Sequence, residues 1–325
     1  MPKRMVSHGR RDRNSDNNAR RGVSRKVRVS NARKIKKQSF NNKKSLSNIG
    51  STFAMGTTVA LTGIFGFFIL NNVIPTNQDV EAIDRIALPE RQLPGVSVVG
   101  QKYADDATVV MQKLQNYQYR NDGKKVVYLT FDDGPSQMTS KILDVLEKND
   151  VRATFFVMGS SLERSGQAGK QILKRSYEYG NAIANHSYSH DYNELYPNKT
   201  LDLEAFKADF EKSEQLLKNA LGESFETKVW RCPGGHMSWN GMDKLQEYLD
   251  ENDISSIDWN ALTGDAEGKA KTSDDLYNEA VKTSQGKEMV VLLMHDASSK
   301  ENTVNALQRI IDYYKDNGYE FRTLI

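Results

Sequence analysis

Cysteine and histidine are both scarce in this sequence. Its 325 residues include one cysteine, Cys232, and five histidines. A single cysteine excludes an intrachain disulfide framework, so any folded domain must be stabilised by its own apolar core. The 38% apolar content is enough for such a core, and the length allows two or three domains. Because histidines are so few, their positions are informative about a functional site.

Charge is absent from residues 45–78 and is divided unevenly on either side of them. Residues 1–44 contain 16 Lys/Arg and two acidic residues, a balance of +14, whereas the remainder balances to −11. Within the uncharged stretch, residues 49–70 would form roughly 33 Å of helix, which is long enough to cross a bilayer. A buried core helix and a cleaved signal peptide are the alternatives. The signal peptide is disfavoured because no A-x-A-like cleavage site follows.

This charge pattern predicts how the chain is organised around a membrane. We expect a basic cytoplasmic tail (1–44), a single transmembrane anchor (45–74), an extracytoplasmic stalk (75–123) and a folded domain (124–325). The positive-inside rule keeps the tail in the cytoplasm and places the folded domain outside the cell membrane. Attraction of the tail to anionic lipid, at about 1 kcal/mol per basic residue, accounts for its charge. Nucleic acid is therefore not expected as a partner.

From residue 124 onward, short β-branched and aromatic runs alternate with helical patterns. The helical patterns include 140–149 and 201–221, each with an apolar stripe. Such alternation predicts an α/β fold with a parallel sheet covered by helices. A distorted (β/α)7 barrel is favoured over an open sheet because no Gly-rich dinucleotide loop follows the first strand. The seven predicted strands are 126–131, 153–159, 181–187, 228–233, 254–259, 289–295 and 320–324.

Polar residues with the chemistry of a metal site follow several of these strands. In barrels of this kind the active site forms at the carboxyl ends of the strands. Two histidines four residues apart, together with a carboxylate from another strand, form a ligand set that leaves positions open for water and substrate, as in catalytic zinc sites. The residues concerned are Asp132 and Asp133 after the first strand, His186 and His190 after the third, His236 after the fourth and His295 at the end of the sixth.

Other interpretations of the histidine pair are weaker. Ser187 stands where an HExxH protease carries its glutamate, so that mechanism is disfavoured. Non-haem iron oxygenases use a similar ligand set but usually display it on an antiparallel jelly roll. For the two aspartates, one can bind a cation while the other remains free as a base, and the cation offsets their mutual repulsion. A simple helix cap would also suit the aspartates, but it would not explain the histidines.

Four segments, "TFDDGP", "HSYSH", "RCPGG" and "LLMH", resemble in order and spacing the motifs of the polysaccharide deacetylases with a NodB-homology domain, carbohydrate esterase family 4. The resemblance covers about residues 124–325. It implies that Asp133, His186 and His190 hold a divalent metal, with Zn²⁺ as first choice and Co²⁺, Mn²⁺, Ni²⁺ or Fe²⁺ as alternatives. It also implies that Asp132 is the general base and His295 the general acid.

The same resemblance assigns supporting roles to residues of the third and last motifs. Arg231 would pair with Asp132 and set its pKa. The backbone N–H of Gly234 would help to stabilise the oxyanion, and Leu293 would shape a pocket for the acetyl methyl group. The third motif departs from the family pattern because glycine replaces the usual aromatic residue at position 234. That leaves a wall of the sugar site to His236, Trp239 or another side chain.

The fourth motif departs further from the family pattern. Aligned by spacing, Leu262 occupies its first aspartate position and Ala266 its tryptophan position, so that only Asp265 is retained. The acidic partner that orients His295 is therefore left open between Asp265, the first choice, and Asp258, the second.

These observations predict a membrane-anchored, outward-facing, metal-dependent hydrolase that removes acetyl groups from N-acetylglucosamine in a cell-envelope polysaccharide. Peptidoglycan is the leading substrate. A wall-attached polysaccharide or its linkage sugar is the next candidate. The competing functions are an O-acetyl esterase with the same site, an inactive metal-containing glycan-binding domain, and a lipid- or nucleic-acid-binding scaffold led by the tail.

Overall fold

A computed structural model of the chain describes residues 92–325. The predicted tail and transmembrane anchor, and stalk residues up to 91, lie outside the described residues. Within the described part of the chain, no helix is both long and apolar enough to cross a membrane.

Parallel strands form the centre of the domain. The strands are β1 (Ala104–Asp105), β2 (Lys125–Asp132), β3 (Thr154–Val157), β4 (Ala182–Asn185), β5 (Val229–Trp230), β6 (Ser255–Ser256), β7 (Ala261–Leu262), β8 (Met289–His295), β9 (Tyr319–Phe321) and β10 (Thr323–Leu324). The main sheet has the order β6-β5-β4-β3-β2-β8-β7, with β9 added beside β2. Strands β6 and β7 lie at the two ends of this order and are not paired with each other in the described part of the chain. The sheet is therefore a curled half-barrel rather than a closed barrel.

The structure differs from the predicted strand set in three respects: β1 and β7 were not predicted, and the run 320–324 divides in two. The seventh strand in the path is the two-residue β7, which pairs with β8 through Ala261 and Leu262 and was not predicted. The predicted run 320–324 instead divides into β9, which pairs with the start of β2, and β10, which pairs with β1. A two-residue strand is too short to show an alternating pattern, which explains why β7 was missed.

Helices cover the sheet and include both predicted helical segments. They are α1 (Ala107–Gln115), α2 (Gln137–Asn149), α3 (Gly159–Tyr179), α4 (Tyr192–Leu195), α5 (Leu203–Leu221), α6 (Met242–Glu251), α7 (Ser273–Ser284) and α8 (Glu301–Asp316). Helix α2 begins three residues earlier than expected because Ser136 and Thr139 form a reciprocal capping box. Helix α5 begins after Asp202, whose side chain accepts a hydrogen bond from the N–H of Ala205.

Residues before the predicted boundary at 124 also contribute to the core. Ala107 and Val110 of α1 are buried in one apolar cluster with Tyr128 of β2 and Leu324 of β10. Strand β1 pairs in parallel with β10. The described part of the predicted stalk therefore packs on the folded domain.

Candidate active site

The parallel register of the sheet brings the predicted site residues to one edge. Asp132, the last residue of β2, is directly opposite His295, the last residue of β8. Asp133 follows β2, and His186 follows β4, two strands away in the sheet. Because all these strands are parallel, their carboxyl ends meet at the same rim, which is where barrels of this type carry their active sites.

Asp133, His186 and His190 form a compact group of candidate ligands. The Nε2 atoms of His186 and His190 lie 3.6 Å and 3.7 Å from Asp133 Oδ1. These separations are too long for a direct hydrogen bond. Nitrogen and oxygen ligands of a tetrahedral zinc ion, each at about 2.0–2.2 Å from it, stand roughly 3.3 Å apart. Asp133 Oδ1 is also buried and has no hydrogen-bond partner in the described part of the chain. The donor set therefore fits a divalent cation.

The imidazole of His186 is held as the tautomer whose Nε2 lone pair can bind a cation. Its Nδ1–H donates to the carbonyl of Arg231 at 2.9 Å, so Nε2 is left with its lone pair facing Asp133. The ring is buried, and burial lowers the pKa of His186. A neutral imidazole held by a carbonyl at its other nitrogen is the usual second-sphere arrangement of a histidine ligand.

The turn between the two histidines is held by hydrogen bonds from outside it. Ser187 and His190 both adopt positive φ, at 66° and 55°, which is uncommon for residues with side chains. The carboxylate of Asp209 in α5 accepts from the N–H groups of Tyr188 and Ser189, at 2.6 Å and 2.8 Å. Asp209 therefore holds the backbone of this turn in place, which positions the side chain of His190.

Asp132 lies deeper than Asp133 and has a different partner. Arg231 is 0% exposed, and its Nη1 lies 2.9 Å from Asp132 Oδ1 and 2.8 Å from Thr130 Oγ1. Its Nε–H donates to the carbonyl of Ile257, so the guanidinium is fixed from two sides. The structure thus forms the predicted ion pair, which keeps the carboxylate of Asp132 oriented beside the candidate metal ligands.

His295 forms a second dyad with Asp265. Its Nδ1–H donates to Asp265 Oδ1 at 2.8 Å, and its backbone N–H donates to Oδ2 at 2.9 Å. Thr303 Oγ1 also donates to Asp265 Oδ2, at 2.8 Å. Burial by itself would lower the pKa of His295, but its hydrogen bond and charge interaction with Asp265, together with the charges of Asp132 and Asp133, outweigh burial and raise the pKa to about 9.

Asp258, the other candidate partner of His295, lies elsewhere. It accepts a hydrogen bond from the backbone N–H of His236 at 3.3 Å, and burial raises its pKa. Of the two aspartates left open by the sequence, the structure places Asp265 against His295.

An aromatic wall stands beside the candidate ligands. The ring of Tyr192 lies 5.1 Å from that of His190 and 5.0 Å from that of Trp239, and Trp239 stacks on Tyr196 at 4.2 Å. A Cβ atom on Gly234 would approach Trp239 Cζ2 to 3.1 Å and the Tyr192 hydroxyl to 3.2 Å. These rings therefore fill the space next to Gly234 that its missing side chain leaves.

Tyr192 was not predicted from the sequence, whereas Trp239 was. The available signal was an aromatic residue two positions after His190, in "HSYSHDY". Leu293 is 9% exposed and precedes His295 by two residues on β8, on the same face of the strand. The structure brings the candidate ligands, the Asp132–Arg231 pair and the His295–Asp265 dyad to one rim, and their individual roles remain predictions. His236 instead lines a separate cavity beside α1 and α6.

The fold and site define an α/β half-barrel with an Asp/His centre at the carboxyl ends of its strands. Comparison with known proteins identifies the same class. The family model described as polysaccharide deacetylase matches residues 119–248. The chain is 31% identical over 227 residues to a putative polysaccharide deacetylase, YheN, of Bacillus subtilis, covering 68% of this chain and 73% of that protein. This chain belongs to the polysaccharide deacetylase family, carbohydrate esterase family 4.

Two further relatives show the range of the similarity. A peptidoglycan-N-acetylglucosamine deacetylase of Bacillus cereus is 28% identical over 246 residues, which cover 73% of this chain and 82% of the relative. The solved structure of a Streptococcus mutans CE4 esterase superposes with a TM-score of 0.65 at 36% identity, over 71% of this chain and 96% of that one. The similarity therefore extends over the whole half-barrel.

Proposed function

We propose that this protein is a metal-dependent hydrolase that removes N-acetyl groups from N-acetylglucosamine in a cell-envelope polysaccharide, with peptidoglycan as the substrate. The observation that carries the proposal is the meeting of three groups at one rim. These are the candidate metal ligands, the Asp132–Arg231 pair and the His295–Asp265 dyad. Membership of the family and the peptidoglycan deacetylases among the relatives support the choice of substrate.

Asp133, His186 and His190 would hold the cation. One carboxylate and two imidazoles suit Zn²⁺, and Co²⁺, Mn²⁺, Ni²⁺ and Fe²⁺ are its competitors for the same donors. When bound, a divalent cation supplies Lewis-acid chemistry and makes water more acidic.

The residues around that centre divide the proton transfers of amide hydrolysis between them. Asp132, oriented by its hydrogen bond from Arg231, takes the proton of the attacking water as general base. The backbone N–H of Gly234 would help to stabilise the oxyanion that develops on the acetyl group. His295, whose pKa of about 9 keeps its imidazole protonated near neutral pH, gives a proton to the leaving amine. General acid and base groups of this kind typically contribute about 10²–10⁴-fold to the rate.

Protonation of the leaving group favours amide over ester substrates for this site. An amine is expelled from a tetrahedral intermediate only after it gains a proton, whereas an alkoxide leaves more readily. A histidine whose imidazolium is held by Asp265 is therefore suited to protonating the amine released from an N-acetyl group.

We also propose that residues 45–74 anchor the enzyme in the cell membrane with residues 1–44 in the cytoplasm. The uncharged stretch and the basic residues before it support this arrangement. An enzyme attached in this way reaches the glycan strands that lie next to the membrane.

The test is a comparison of acetate release from three substrates by the full-length chain in detergent with added Zn²⁺. The substrates are purified peptidoglycan, a soluble N-acetylglucosamine oligomer and acetylated xylan. Release from the first two and little from xylan is expected. Preferential release from xylan would identify an O-acetyl esterase instead. Glycan binding without acetate release from any substrate would identify a binding domain.

A further inference from the structure

A cavity of about 470 Å³ opens beside the candidate metal ligands. It is lined by one positively charged side chain, that of Arg164, which has no part in the proposed chemistry. Asp133 and His190 line one side of it, and Arg164 of α3 lines another. Five serines are among the other residues that line it. Among the described residues that line the cavity, Arg164 is the only charged side chain apart from the proposed ligands.

Arg164 differs from the other arginines of the domain. The described part of the chain contains seven arginines, and six of them form ion pairs with carboxylates. The guanidinium of Arg164 forms none within residues 92–325, and its one hydrogen bond there goes to Ser161 Oγ at 3.0 Å. Its side chain is exposed, so most of its five N–H donors are available to a ligand in the cavity.

We infer that Arg164 forms an anion subsite that recognises a carboxylate or phosphate group on the glycan, next to the sugar that loses its acetyl group. A guanidinium presents two parallel N–H donors that match either anion, and a neutral sugar offers no such partner. Asp133, His190 and Arg164 line the same cavity, so a glycan whose sugar reaches the candidate ligands can place an anionic group at Arg164. The inference rests on the proposed function.

Both anions are available on envelope glycans, and the probes distinguish them. In peptidoglycan the anion is the lactyl carboxylate of a flanking muramic acid from which the stem peptide has been removed, since an attached peptide converts that carboxylate to a neutral amide. In a wall-attached polysaccharide it is a phosphate. The subsite would therefore decide which of the two proposed substrate classes the enzyme prefers.

The experiment measures kcat and KM for acetate release by the full-length enzyme on three tetrasaccharides. The first alternates N-acetylglucosamine with N-acetylmuramic acid and has free carboxylates. The second is its methyl ester, which has the same shape and no charge. The third is an N-acetylglucosamine tetramer that carries a phosphate monoester. The wild type is compared with Arg164→Gln, with Arg164→Lys and with a control, Arg120→Gln, whose arginine pairs with Glu288 just before β8, at the opposite end of the sheet.

We expect the wild type to prefer one anionic substrate over the methyl ester by about tenfold, mainly through a lower KM, since charge-assisted hydrogen bonds are worth about that much. Arg164→Gln should reduce this ratio to near one, Arg164→Lys should retain part of it, and Arg120→Gln should retain all of it. The ratio in the wild type should also fall as salt is added. A preference for the carboxylate or for the phosphate identifies the source of the anion.

Two results would overturn the subsite. One is a wild type that prefers neither the free acid nor the phosphorylated tetramer to the methyl ester. The other is an Arg164→Gln variant that keeps the full preference. If no substrate releases acetate, the proposed function fails independently, and the subsite is judged by the dissociation constants of the same three probes from the Zn²⁺-loaded protein. Equal binding of acid, ester and phosphate by the wild type would then contradict it.

Discussion

Replacing Asp265 by asparagine would test the acid–base assignment of the site. The amide keeps the size of the carboxylate and can still accept from His295 Nδ1–H, but it removes the negative charge that holds the imidazolium. Burial lowers the pKa of His295, and in the variant only the charges of Asp132 and Asp133 would remain to raise it. The substitution should therefore lower the pKa of His295.

The structure gives the size of this effect. The pKa of His295 is raised from 6.5 to about 9, a difference equivalent to roughly 3 kcal/mol between its two protonation states. Most of the raising interactions come from Asp265, so the variant's pKa should fall to near 6.5 or below. A general acid must carry its proton, and activity is lost as pH rises through its pKa. The alkaline limb of the pH–rate profile should therefore move to lower pH, and the rate at pH 7.5 should fall by about 10–100-fold.

The assay is acetate release from a soluble N-acetylglucosamine oligomer between pH 5 and pH 10, with the His295 ring followed by NMR titration in parallel. Asp258→Asn is the matched control, because Asp258 accepts from the His236 backbone and does not touch His295. The control should leave the alkaline limb in place. An alkaline limb that stays unchanged in Asp265→Asn, or one that moves in Asp258→Asn instead, would refute the assignment.

Three further predictions follow from the packing around the site. Arg231→Met leaves the buried carboxylate of Asp132 without its partner and should cost about 3–5 kcal/mol in the free energy of unfolding; an unchanged denaturation midpoint would contradict the ion pair's structural role. Asp209→Ala frees the turn that carries His190, so Zn²⁺ affinity in a competition titration should weaken by about 10–100-fold, and equal affinity would count against this support. Tyr192→Ala removes a ring beside the ligands and should raise KM for the glycan by about 2–10-fold; a KM equal to that of the wild type would exclude stacking on the substrate.

Much of the fold could be predicted because each long strand is an apolar run that ends in polar residues. β2 and β8 show this pattern clearly, and their carboxyl ends meet at the rim as expected. Strand β7 was not predicted because two residues are too few to show an alternating apolar pattern. Its pairing with β8 also depends on residues about 30 positions away in the sequence. The pairing of β1 with β10 was also beyond the sequence, since it joins Ala104 to Thr323 at opposite ends of the domain.

The site divides in the same way. Asp132, Asp133, His186, His190 and His295 were predicted because they follow strands in short recognisable segments. The choice between Asp265 and Asp258 stayed open because both carboxylates lie near the altered fourth motif, and only the folded chain shows which one reaches His295. Tyr192 and Arg164 were not predicted, because their importance comes from lying beside His190 and beside the cavity next to the candidate ligands, which only the folded chain shows.

The central claim is that Asp133, His186 and His190 hold a cation on which acetate release depends. The most direct measurement is acetate release from purified peptidoglycan by the full-length enzyme after chelation and again after Zn²⁺ is restored, with bound metal counted in each sample and Asp133→Asn run alongside. We predict no release from the metal-free protein, recovery with one Zn²⁺ per chain in the wild type, and neither recovery nor tight Zn²⁺ binding in the variant. Full activity in the chelated wild type, or in Asp133→Asn, would contradict the claim.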